Sequence, residues 1–234
     1  MAQLSNKNAP SASDVYQPAG RLIPVLSANP VGDQIIDTAI ALGRKAASYG
    51  ETVLILDCTG GNAMSRAGVV FNKTLADVLS GEAQLRDALY ITANEHYNVA
   101  CLGNIALDEA LGSLAALSLD FDWVFVVAKP GCTNAHIRLA AAGDNCLIGY
   151  DTKSDAFMRA YWMIEAVRRR APEFDPHILS CGNRLESVET ALMLSETVRD
   201  HLGAPPPYAG HIADAHLDVR LLGQLREAIA EKAA

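Results

Sequence analysis

Apolar positions along the chain fall into two patterns that alternate from Leu22 to Ile229. Short continuous apolar runs occur at Leu22–Ser27, Thr52–Asp57 (TVLILD), Tyr97–Leu102, Trp123–Val127 (WVFVV), Cys146–Tyr150, His177–Cys181 and around Tyr208–Gly210. Runs of this length, apolar at successive positions, predict strands covered on both faces. Between them the apolar residues recur every three or four positions, as helices require. Ile35, Ile36, Ala39, Ile40 and Leu42 mark one such helix, ending near Tyr49 and Gly50. Leu107–Leu117, Ala135–Ala142, Asp155–Arg170, Ser187–Leu202 and Leu217–Ile229 read the same way, and Ser80-Gly81 separates two short helices at Leu75–Leu79 and Leu85–Leu89. Strands alternating with helices predict βαβ units, hence an α/β fold with a mainly parallel central sheet and helices on both faces. In that architecture ligands bind beyond the carboxyl ends of the strands, so the turn after the first strand, Ser27–Gln34, is where chemistry is expected.

Composition refines this picture. Half of the 234 residues are hydrophobic and a fifth are charged, enough apolar material for one substantial core. Residues 1–20, rich in Ser, Asn, Ala and Pro, are expected to form a flexible arm, either mobile or ordering on a partner, and residues 21–234 a single α/β domain. The net charge of −8 opposes direct binding to nucleic acid or anionic lipid. The longest basic run, Arg168–Arg170, ends a predicted helix, where it complements the helix dipole. The five cysteines are scattered singly and fit reduced thiols in or near the core. His211 and His216 flank Asp214 without further ligands, so they are expected to be surface or loop residues and no metal site is expected. No apolar run is long enough to span a bilayer and the N-terminal residues lack a signal-peptide core, so a cytoplasmic location is expected.

A phosphate-binding loop needs glycines for close backbone approach, a lysine for the β- and γ-phosphates, and a Ser or Thr for magnesium. The turn here reads Ser27-Ala-Asn-Pro-Val-Gly-Asp-Gln34. Gly32 is its only glycine, and Pro30 lacks an N–H donor. Ser27, His136 and Asp33 could be imagined as a hydrolase triad, but no G-x-S-x-G turn presents the serine.

Laid over the KGGVGKT loop, this segment resembles that of the MinD/ParA group of deviant P-loop ATPases, particularly the FlhG/FleN branch that regulates flagellar number. Val31 and Gly32 match; Ala28 falls at the signature lysine, Asp33 at the phosphate-binding lysine and Gln34 at the magnesium-binding threonine. Leu54-Ile-Leu-Asp57 resembles the group's LLID segment, with Thr59 at its next acidic position, and Leu75–Leu89 resembles its GLxDVLxGExxLxDAI segment. Phe121–Val127 resembles FDYVLID, with Val127 in place of the aspartate that orients magnesium and water. Gly143–Ile148, Ile178–Arg184 and His211–Asp214 resemble three further segments, which puts Asn183 at the adenine-reading asparagine.

The resemblance implies a P-loop NTPase-like fold whose nucleotide site is vestigial: Asn29, Pro30, Val31, Gly32, Asp33, Gln34, Asp57 and Asn183. Asp57 and Asn183 read equally as capping and turn residues. A carboxylate at position 33, ~4 Å from a phosphate charge at an effective dielectric of about 20, costs on the order of 4 kcal/mol where a lysine stabilises by as much. The expectation is therefore a non-catalytic protein, with no catalytic residue and no cofactor, that regulates or scaffolds the spatial organisation or assembly of a cell-surface structure. It would act through a protein partner, an active ATPase relative or a homodimer, which could recruit it to the membrane or cell pole. The alternative is an ATP- and magnesium-binding switch, or an ATPase akin to the tyrosine kinases of polysaccharide export, with an atypical site. The last helix carries Leu217, Leu221, Leu222, Leu225 and Ile229 on one side with nearly balanced charge, which favours core packing over lipid binding.

Overall fold

The computed structural model describes residues 20–28, 33–93, 96–172 and 175–233. These begin with β1 (Arg21–Ser27), α1 (Asp33–Ser48), β2 (Val53–Cys58), α2 (Asn62–Arg66), α3 (Leu75–Leu79), α4 (Leu85–Ala88), β3 (Tyr90–Ile91) and β4 (Asn98–Cys101). They continue with α5 (Leu107–Leu117), β5 (Trp123–Ala128), α6 (Asn134–Ala142), β6 (Leu147–Tyr150), α7 (Ser154–Arg170), β7 (His177–Ser180), α8 (Arg184–Leu202), β8 (Tyr208–His211) and α9 (Leu217–Ala233). The strands form one sheet in the order β3-β4-β2-β5-β1-β6-β7-β8. All neighbours are parallel except β3 and β4. The expected α/β fold with a mainly parallel sheet is thus the observed one.

Alternation along each central strand explains its continuous apolar run. Ile23 and Val25, Val53 and Ile55, and Trp123, Phe125 and Val127 face a core completed by α1 and α9. Leu22 and Leu26, Leu54 and Leu56, and Val124 and Val126 face the opposite core, with residues of α5, α6, α7 and α8. Each buried Val, Leu or Ile side chain stabilises the fold by roughly 1.5–3 kcal/mol. Leu217, Leu221, Leu222 and Leu225 of α9 are buried in the first of these cores, so its apolar face packs against the domain as its balanced charge led us to expect.

Polar groups fix the register at the amino ends of the strands. The Asp122 carboxylate accepts from the Thr52 amide at 2.7 Å and from its hydroxyl at 2.8 Å. Asp144 accepts from the Leu22 amide at 2.8 Å. Glu51 receives Arg226 of α9 at 2.6 Å and Arg21 of β1 at 3.5 Å. Both guanidiniums lie over Trp123, 4.6 Å (Arg21) and 5.9 Å (Arg226) from the ring centroid, and Trp123 stacks on Phe125. None of the described cysteines forms a disulfide; four are buried or half-buried as expected, while Cys132 is exposed.

Two elements were not foreseen. One is α2, a five-residue helix; the other is β3, a two-residue antiparallel edge. Both are too short to show a period, and tertiary contacts determine them.

The packing at Gly143 gives a direct test. A Cβ there would lie 2.5 Å from Pro24 Cδ and 2.9 Å from the Leu22 carbonyl oxygen, whereas one at Gly223 in α9 would meet nothing within 4 Å. Gly143→Ala is expected to lower stability by about 1–3 kcal/mol. Gly223→Ala should be neutral or stabilising by up to about 1 kcal/mol, both read from urea unfolding.

Candidate functional site

Strand β1 lies between β5 and β6, with its successor β2 on the far side of β5. In such sheets a reversal of strand order marks the usual ligand position, beyond the carboxyl end of the strand. The end of β1 is pinned from both sides: the Ala28 amide donates to the Gly149 carbonyl at 2.8 Å, and the Gly131 amide to the Ser27 carbonyl at 3.0 Å. Asn29, Pro30, Val31 and Gly32 lie outside the described residues.

Asp33 is the first residue of α1, with its side chain 61% exposed at the helix N-terminus. A carboxylate is favoured there by the helix dipole, typically by 0.3–1 kcal/mol in order of magnitude, roughly what an anionic ligand would otherwise gain from it. Arg66 of α2 reaches this turn. Its Nε donates to Asp37 at 2.6 Å, its Nη2 donates to the other oxygen of Asp37, and its Nη1 lies 3.9 Å from Asp33. The hydrogen bonds to Asp37 raise the guanidinium pKa further. The cluster of two carboxylates and one guanidinium retains one net negative charge at the start of α1.

Asp57 explains why Arg66 can reach α1. Its fully buried carboxylate accepts from the Thr59 amide at 2.6 Å, the Thr59 hydroxyl at 2.5 Å and the Met64 amide at 2.9 Å. Gly60 and Gly61 turn the chain with φ of 88° and 106°, a region that L side chains rarely adopt. The carboxylate thus folds the β2 loop back into α2, whose last residue is Arg66. Thr59, at the position where the resemblance implies a second acid, is a donor to Asp57. Val127 pairs with Asp57 in register on β5, is fully buried and belongs to the same apolar core as Met64 and Ile35.

On the other side of α1, Gln34, Asp37, Thr38, Ile212, Asp214, Leu217 and Asp218 line a cleft of about 340 Å³. The described residues that line it include three carboxylates and no lysine or arginine. One oxygen of Asp214 accepts from the His211 amide at 3.1 Å and from Arg220 at 3.2 Å, and Arg184 forms an ion pair with the other at 2.7 Å. Burial opposes its charge, but the amide and the two guanidiniums outweigh burial and hold its pKa below the usual carboxylate range.

Asn183 lies apart from the Asp33–Asp57 cluster in its bonding. It caps α8, accepting from the Leu185 amide at 3.0 Å. His211 corrects the sequence expectation of a surface residue: it is buried, its Nδ1 accepts from the Ala213 amide at 3.0 Å, and its Nε2–H donates to the Gly182 carbonyl at 3.2 Å. Ala, Ile and Gly around it gave no sign of that partner, which comes from another strand end. His136 likewise serves structure. Its Nδ1 accepts from the Thr133 hydroxyl at 2.8 Å, and its Nε2–H donates to the Lys129 carbonyl at 2.8 Å, so neither nitrogen is directed at Ser27 or Asp33.

Sequence reasoning placed Lys129 only in a loop. The structure puts its ammonium over the β2 turn, such that a Cβ on Gly60 would lie 3.9 Å from Nζ. The usable signal was its position just beyond Ala128, the residue that ends the strong strand begun by WVFVV, at the carboxyl edge of the sheet. Among the described residues, no group of three or more metal-ligating side chains is gathered.

No protein-family profile matches the chain, and no curated protein matches it. Solved structures do share its fold. A chain of the MinC:MinD cell division protein complex of Aquifex aeolicus superposes with a TM-score of 0.66 at 18% identity, over 92% of this chain and 94% of that chain. The septum site-determining protein MinD of Pyrococcus horikoshii, complexed with Mg-ADP, gives 0.64 at 18% identity over 91% and 86%. A ParA family ATPase of Chlorobium tepidum gives 0.63 at 14% identity over 92% and 89%. These neighbours are MinD/ParA-type P-loop ATPases, and at such identities the likeness is one of fold.

Two measurements check the roles assigned to the carboxylates. Asp57→Asn turns an amide NH₂ toward donors, and is expected to cost about 2 kcal/mol and to speed hydrogen exchange in α2. For Asp214 the folded pKa lies below the unfolded one, so its contribution is complete above about pH 4 and is lost as pH falls through the folded value. The melting temperature of Asp214→Asn should accordingly fall less steeply than that of the parent between about pH 5 and pH 2.

Proposed function

We propose that this chain is a non-hydrolysing protein of P-loop ATPase architecture that acts by binding protein partners. The observation that carries this reading is the acidic start of α1, where Asp33 and Asp37 share Arg66. In this fold that helix end would receive phosphate, and here it already holds a carboxylate. Val127 supports the same reading: the strand end that would offer a metal-orienting carboxylate is closed by apolar packing. Asp57 is engaged by three donors from its own loop. The role that fits is a regulator or scaffold in the spatial organisation or assembly of a cell-surface structure, partnered by an active ATPase relative, another protein or a second copy. One fold neighbour is part of a complex with MinC, so this architecture can carry a protein partner. No helix among the described residues is long and apolar enough to cross a membrane, so membrane or polar placement would come through the partner.

A second reading, an ATP- and magnesium-binding switch with an atypical site, draws on Lys129. Its ammonium beside Gly60 offers a cation near the carboxyl end of the sheet from a different loop. A fold neighbour, MinD of Pyrococcus horikoshii, was solved with Mg-ADP.

Titration calorimetry with Mg-ATP separates the two. The parent protein is expected to show no binding in the micromolar range and no phosphate release, and Asp33→Lys to gain binding. Micromolar binding by the parent would overturn the non-hydrolysing reading if turnover accompanies it. Binding that disappears in Lys129→Ala would put the switch in its place.

A further inference from the structure

Helix α8 departs from the pattern of a surface helix. Ser187, Ala191, Leu194 and Val198 turn toward the core, so the outer side should be polar. Instead Leu185, Val188 and Leu192, spaced as one helical stripe, stand 81%, 46% and 61% exposed. Just before α7 the Thr152 hydroxyl donates to Glu186 at 3.3 Å, and Tyr161 of α7 meets the His201 ring edge to face. Helix α7 therefore runs along the Glu186–His201 flank of α8. At roughly 100° per residue the apolar stripe lies on the opposite flank, away from α7.

The other end of the same helix layer carries an apolar groove of about 400 Å³, between α3 and α4 on one side and α5 on the other. Leu75, Val78, Leu79, Leu85 and Leu117 form its walls, and Asp120 stands at one end. It is concave because α5 offers it small residues, and a Cβ added at Gly112 would meet nothing within 4 Å. The helices of this layer pack in the row α5, α6, α7, α8. Groove and stripe are thus separated by two helices and cannot meet within one molecule.

They do match between molecules. The stripe from Leu185 to Leu192 rises about 10 Å, and so does the α5 wall from Ala110 to Leu117. One surface is convex and the other concave, and a single contact covers both apolar patches. Their ends carry opposite charge. Arg199 continues the stripe beyond Leu192 and pairs only with the adjacent Asp200, while Asp120 has no ion pair among the described residues.

We propose that a second copy of this chain docks head to tail, seating its α8 stripe in the groove between α3–α4 and α5. The contact joins unlike surfaces, so each molecule keeps a free groove or stripe, and copies add until a ring closes or a filament grows. Neither surface contains Asp33, Asp57 or Val127, so this assembly is independent of whether nucleotide binds.

Sedimentation velocity on the full chain tests this. The mass of the parent should rise past that of a dimer in a series reaching about 1 mM, where even a millimolar contact is well populated. Leu185→Glu/Leu192→Glu spoils the stripe and Ala116→Glu the groove, all at exposed positions, with circular dichroism confirming the fold. Each variant alone should stay monomeric. Their equimolar mixture should give a dimer and nothing larger, because one intact stripe then meets one intact groove. A parent that stays monomeric throughout the series would overturn the proposal, as would a mixture that stays monomeric. Association that survives in either variant would also overturn it; in the groove variant it would mark a two-fold contact of stripe on stripe.

Discussion

The central strands of this protein are apolar on both faces, and that constraint organises everything else. β1, β2 and β5 alternate their side chains between two cores, each roofed by helices. No charge can be held along such strands without a large desolvation cost. Polar side chains are therefore confined to the strand ends, and the two ends are used differently. At the amino end they fix register, through Asp122, Asp144 and the Glu51 pair of arginines. At the carboxyl end they shape the candidate site.

What that site holds is a chain of dependencies that starts with one buried anion. Asp57 could not be charged in the interior without donors, and the Thr59 and Met64 groups supply them. Satisfying that carboxylate bends the loop into α2, and α2 delivers Arg66 to α1. The start of α1 is consequently an electrostatically occupied place, with its dipole answered by the chain's own carboxylates. The neighbouring cleft is lined by Asp37, Asp214 and Asp218, of which Asp37 is answered by Arg66 and Asp214 by Arg184 and Arg220, so most of its charge is balanced within the chain.

Much of this was legible before any coordinates. Strands such as TVLILD and WVFVV announce themselves because burial on both faces requires unbroken apolar sequence, and α1, α5 and α7 because their apolar residues keep a helical period. Asp33 read as part of the turn before that period, and the structure makes it the first residue of α1. Arg66 was not legible as its neighbour: it meets Asp37 across 29 positions, a pairing that depends on the turn at Gly60 and Gly61. His211 was misjudged for a related reason. Its burial depends on the Gly182 carbonyl, brought alongside by β7 and β8. The deviant residues at Asp33 and Val127 were visible as substitutions, but whether they leave an empty space or a filled one is a matter of packing, and at Val127 the space is filled.

Glu51 has a consequence for how the molecule is made. It binds Arg21 on the first strand and Arg226 on the last helix, and α9 also roofs the α1 side of the sheet. β1, α1 and β2 are separated from α9 by most of the domain, so the core they share closes only when Leu217–Leu225 dock against it, and that closure is a long-range step of folding.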